Sequence, residues 1–169
     1  MRSLRHLVPC GLVAVAACAP APSPPPPVAL ATSTVRVITP QVGQAQPLGI
    51  ADVAGLEAHL EASGVPLDYD QDTQLEYFTA PVRVYHIGGG TDSLMAMTYE
   101  SPAAALDAAA RLAPDARSVV GLDGERIRIE WLGMPHVFVS GPLLVIYIGD
   151  DLAVRTALST ALGPQVAGA

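Results

Sequence analysis

The run Leu143-Leu144-Val145-Ile146-Tyr147-Ile148 constrains the fold of this chain more than any other segment. It is bracketed by Gly141-Pro142 and by Gly149-Asp150-Asp151, is far too short to span a bilayer, and is apolar on both faces. A strand with no polar face belongs in the middle of a sheet, so it reads as a central strand. His136 to Ser140, on the other side of Gly141-Pro142, supplies the partner of a hairpin.

The remaining elements follow from period and punctuation. Val53, Leu56 and Leu60 fall at helical spacing behind Asp52, a good N-cap, and Gly64-Val65-Pro66 is a stop, which predicts a helix over 52–63. Val65 to Asp70, Leu75 to Ile87 and Ser93 to Tyr99 read as strands, the last two joined across Gly88–Asp92. A second helix opens at Ser101-Pro102 and is ended by Pro114. Arg117 to Gly121 and Glu125 to Leu132 read as strands, and in the second Ile127, Ile129 and Trp131 alternate with Arg126, Arg128 and Glu130. The final helix, Asp151 to Leu162, turns Val154, Leu158, Ala161 and Leu162 inward and stops at Gly163-Pro164. This order predicts a single α+β domain over 52–166, with a mostly antiparallel sheet and helices on one face. It also invites a degenerate α-β-β-β repeat, and leaves 167–169 as a tail.

The region before the domain carries a different message. Arg2, Arg5 and His6 precede an apolar stretch from Leu7 to Ala17, the pattern of a secretory signal over residues 1–17. Val15-Ala16-Ala17-Cys18 resembles the bacterial lipobox, which implies cleavage before Cys18 and attachment of diacylglycerol to its sulfur, with N-acylation often added. The rival readings are an unmodified signal with Cys18 as a small apolar residue, or lipidation at Cys10. Pro9 and the short apolar stretch before it disfavour Cys10. With Cys18 alkylated, no thiol is left in the mature chain for a disulfide. Residues 18–34 are rich in Pro, including Pro24 to Pro27, and favour an extended polyproline II stalk; nine such residues reach ~28 Å at about 3.1 Å each. Residues 35–51 form an irregular lead-in. Ala19, rather than Asp, follows the cysteine, so where the host has two membranes the analogy places the anchor in the outer one.

The net charge is −7, with no Lys in the chain, which repels phosphate backbones and excludes nucleic acid as a natural partner. Candidate sites are sparse. Asp68, Asp70 and Asp72 alternate as oxygen ligands for a hard cation would, but the positions where an EF-hand loop needs Gly and Glu hold Thr73 and Thr79, so a solvated acidic strand end is the competing reading. Gly88-Gly89-Gly90 lacks the helix and Lys of a phosphate loop. His59, His86 and His136 form no metal-ligand spacing; His59, between Glu57 and Glu61, reads as exposed. Ser140 sits at a hairpin rather than on a nucleophile elbow, and the Arg126, Arg128 and Glu130 stripe reads as a solvent face.

Trp131-Leu132-Gly133-Met134-Pro135-His136, then Gly141 to Asp151, then Leu158 and Leu162-Gly163-Pro164-Gln165, resembles the C-terminal half of a family of small uncharacterised bacterial lipoproteins and secreted proteins. Val137-Phe138 stands where that family more often has Tyr. The resemblance implies location and fold and brings no activity, cofactor or catalytic residue. The expectation is therefore a non-enzymatic, lipid-anchored envelope protein, held to the membrane through Cys18, that needs no cofactor and either binds another envelope protein or stabilises an envelope assembly. The alternative is a small-molecule or metal-binding domain, or a hydrolase, with a ligand or partner surface around Trp131, His136 and Tyr147.

Overall fold

A computed structural model describes residues 47–168. The expected signal peptide, Cys18, the stalk and residues 35–46 of the lead-in lie outside the described residues. The elements run α1 (Val53–Ala62), β1 (Leu67–Thr73), β2 (Val82–Ile87), β3 (Ser93–Thr98), α2 (Pro102–Ala110), β4 (Ser118–Val120), β5 (Arg126–Arg128), β6 (Pro135–Ser140), β7 (Leu143–Ile148), α3 (Leu152–Leu162) and β8 (Ala167–Gly168). Six strands form one sheet in the order β1-β2-β3-β7-β6-β8, and β4 and β5 form a separate ribbon. Every pairing is antiparallel.

The helices begin where their caps dictate. Asp52 Oδ1 accepts from the Gly55 amide at 2.8 Å, Ser101 Oγ from Ala104 at 3.2 Å, and Asp151 Oδ1 from Ala153 at 2.7 Å. Each satisfies an amide that the first helical turn leaves without a partner. Pro102 opens α2 where its missing N–H removes nothing from the ladder.

Strand β7 lies between β3 and β6 with all six residues buried, the central strand its sequence predicts. Leu143, Val145 and Tyr147 face one core with Leu94 and Phe138, covered by Leu56 and Leu60 of α1 and Val154, Leu158 and Leu162 of α3. Leu144, Ile146 and Ile148 face a second core with Val84, Met97 and Val137, covered by Ala105 and Ala108 of α2 and by Val119 and Ile129 of the ribbon. The expectation that all helices share one face is corrected: α2 lies opposite α1 and α3. A strand apolar on both sides needs cover on both, and α2 with the ribbon provides the second layer.

Other expectations shift for local reasons. The run Leu75 to Ile87 is a strand only from Val82. Before it the Phe78 amide bonds back to Leu75 O at 3.0 Å, the Gln74 side chain donates to Phe78 O at 2.6 Å, and the turn so formed buries Phe78 in the second core. Glu125 to Leu132 contributes a ladder only over Arg126–Arg128, yet its alternation survives, with Ile129 buried and Arg126, Arg128 and Glu130 exposed. The α-β-β-β repeat is not reproduced, because β1, β2 and β3 form a meander whereas β4 and β5 leave the main sheet. Ala167 and Gly168, read as a tail, pair with Val137 and His136 as β8. Gly168 has φ +107, and a Cβ there would run into the Pro135 carbonyl, so the chain can close this edge only with glycine.

Leu144→Ala is expected to destabilise the domain by about 2–5 kcal/mol in urea unfolding, the cost of a cavity in a packed core. Leu152→Ala, at an exposed position of α3, is expected to stay within about 0.5 kcal/mol.

Candidate functional site

The β6–β7 hairpin sets His136 opposite Tyr147, and the two rings stack with centroids 5.8 Å apart and planes 21° from parallel. Both are closed to solvent, at 1% and 0% exposure. His136 Nδ1 donates to Gln165 Oε1 at 2.8 Å, tying β6 to the segment after α3. The Tyr147 hydroxyl donates to Asp92 Oδ2 at 2.5 Å and accepts from the Asp151 amide at 3.0 Å. One buried hydroxyl thus joins the β2–β3 turn to the start of α3. Gly149 makes room for this junction, since a Cβ there would collide with both the Asp92 carboxylate and the Tyr147 hydroxyl.

Trp131 does not join this pair. It packs on the second core, where its Nε1 donates to Ala116 O at 2.8 Å. Ala116 has φ 54, a left-handed conformation unfavourable for alanine, and the indole bond holds that corner. Of the three residues expected to share a surface, the structure brings together His136 and Tyr147 and places Trp131 on the opposite side of the sheet. The His136–Tyr147 pair has the geometry of a structural stitch: a substrate would have to displace the core to reach it.

Asp68, Asp70 and Asp72 lie on β1 but do not converge. Tyr69 pairs with Tyr85 and Gln71 with Val84, so Asp70 is the extra residue of a β-bulge. The bulge reverses the alternation: Asp68 sits opposite His86 and Asp72 opposite Arg83, residues on different faces of β2. Asp70 Oδ2 lies 3.7 Å from His86 Nε2, and Asp72 Oδ1 accepts from Arg83 Nε at 3.2 Å. Among the described residues no group of three or more His, Cys, Asp or Glu side chains could hold a metal ion. His59, expected on an exposed helix face, is half-buried with Nε2 3.2 Å from Ala157 O, and links α1 to α3.

An open groove of about 270 Å³, which the sequence does not announce, is lined by Val53, Asp72, Pro81, Arg83, Ala96 and Thr98. Its walls come from α1, the loop before β2 and three strands, so no local pattern marks it. Tyr69 stands exposed beside it with the Arg83 guanidinium 5.7 Å from its ring centre.

Burial pushes the Tyr147 phenol well above the usual tyrosine value, and its bond to Asp92 adds to the shift while the Asp151 amide opposes it. Burial and the bond to Glu57 raise Tyr85 in the same way, and burial pushes Tyr99 up to about 12. A phenol with a raised folded-state pKa binds its proton more tightly in the native state. Stability is therefore complete below the unfolded value of about 10 and falls as pH rises beyond it. Thermal unfolding followed from pH 8 to 12 is expected to show this decline, and to show less of it in Tyr147→Phe. That variant is also expected to lose about 1–3 kcal/mol at neutral pH, because Asp92 and the Asp151 amide lose their shared partner.

No family model, curated protein or solved structure matches this chain.

Proposed function

We propose that this chain is a lipid-anchored cell-envelope protein whose domain is a non-enzymatic module that binds another protein. The observation that carries this reading is Val15-Ala16-Ala17-Cys18 at the end of a basic and then apolar leader, followed directly by the Pro-rich stretch. A lipid on Cys18 holds the protein to the membrane, and the stalk keeps the domain clear of the headgroups on the extracytoplasmic side. Outer-membrane placement, where two membranes exist, rests on the family analogy at Ala19. No helix among the described residues is long and apolar enough to cross a membrane.

The alternative of a site at His136 and Tyr147 gains no support from the domain's interior. His136 and Tyr147, the most chemically capable pair, are sealed in the core and engaged in holding loops together.

Cys18→Ala in the full chain is expected to move the protein from the membrane fraction to the soluble extracytoplasmic fraction. Retention of the variant on membranes after a carbonate wash contradicts the anchor. Cross-linking in intact cells is expected to capture a defined envelope partner with the lipidated protein and to lose it with Cys18→Ala.

A further inference from the structure

Among the described residues the fold leaves one long backbone edge open. Both faces of the central strands are covered, and β8 closes part of β6 at the far edge. At the near edge β1 runs for seven residues with no strand beyond it, and its five middle residues are exposed. Its outward N–H and C=O groups are a template for another strand.

The side chains on that edge select the occupant. Asp68, Asp70 and Asp72 put carboxylates along it, and the bulge at Asp70 distributes them over both faces. A second copy of β1 would bring like charges together, which disfavours self-pairing. A strand bearing Lys or Arg meets Asp68, which no described ion pair engages, and can compete for Asp70 and Asp72, which lie beside His86 and Arg83; the net charge of −7 steers it inward.

We propose that β1 is a docking edge for an extended, basic segment of a partner protein, which adds to the sheet as a further strand. This inference rests on the protein-binding reading above and names the surface and the chemistry of its partner. Backbone pairing supplies affinity, and the carboxylates supply selectivity.

The test uses the full chain carrying Cys18→Ala and two synthetic twelve-residue peptides, one alternating Lys and Val and one alternating Glu and Val. The Lys-Val peptide is expected to bind and to slow amide exchange over 67–73, whereas the Glu-Val peptide does not bind. Asp68→Asn/Asp70→Asn/Asp72→Asn is expected to weaken binding by about tenfold or more. Asp68→Asn alone, which breaks no ion pair, is expected to weaken it about two- to threefold. Absence of binding, equal binding of the Glu-Val peptide, undiminished binding to the Asn variants, or protection away from 67–73 overturns the proposal. A photo-cross-linking residue at position 71, compared in cells with one at position 106, separates the two levels of the account. Capture of a partner through 106 and not 71 overturns the docking edge and leaves the protein-binding reading standing, whereas capture at neither position counts against that reading itself.

Discussion

The architecture depends on burying both faces of β7. Its six apolar side chains divide between two cores, and each core requires its own cover. That requirement accounts for α1 and α3 on one side and for α2 with the β4–β5 ribbon on the other. With antiparallel neighbours β3 and β6, the strand has both rows of backbone groups paired in the ladder, so neither its side chains nor its main chain is left facing water.

Polar groups inside this framework act as fasteners. The Tyr147 hydroxyl holds the β2–β3 turn and the head of α3, His136 holds Gln165 beyond the end of α3, and Tyr85 holds Glu57 of α1. The bonds to Asp92, Gln165 and Glu57 join elements distant in sequence, whereas that from the Asp151 amide spans only four residues, and each sits where an unpaired polar group would be costly. The chemistry most suggestive of an active site thus serves the fold.

Much of this was legible from local pattern. Caps at Asp52, Ser101 and Asp151 announce themselves because the bond lies within three residues. The central position of β7 follows from its composition, and the pairing of His136 with Tyr147 follows by counting outward from the Gly141-Pro142 turn. The division of helices between faces was not legible, because it depends on how each connection crosses the sheet. Nor was the bulge at Asp70: the alternation of Asp68, Asp70 and Asp72 looks regular until the register of β2 interrupts it. Leu75 to Ile87 misled for a related reason, since its apolar residues satisfy a turn that buries Phe78 as well as they would satisfy a strand. Asp92 was hidden because its bond to Tyr147 spans 55 positions of sequence.

The proposed anchor, a lipid on Cys18 that holds the domain at a membrane surface, is open to direct test. The most direct measurement is the intact mass of the full-length gene product isolated from the membranes of its host, with fragmentation of its N-terminal peptide. The account expects a chain that begins at Cys18 and carries diacylglycerol on sulfur. A chain that retains residues before Cys18, or begins there with a free thiol, contradicts it.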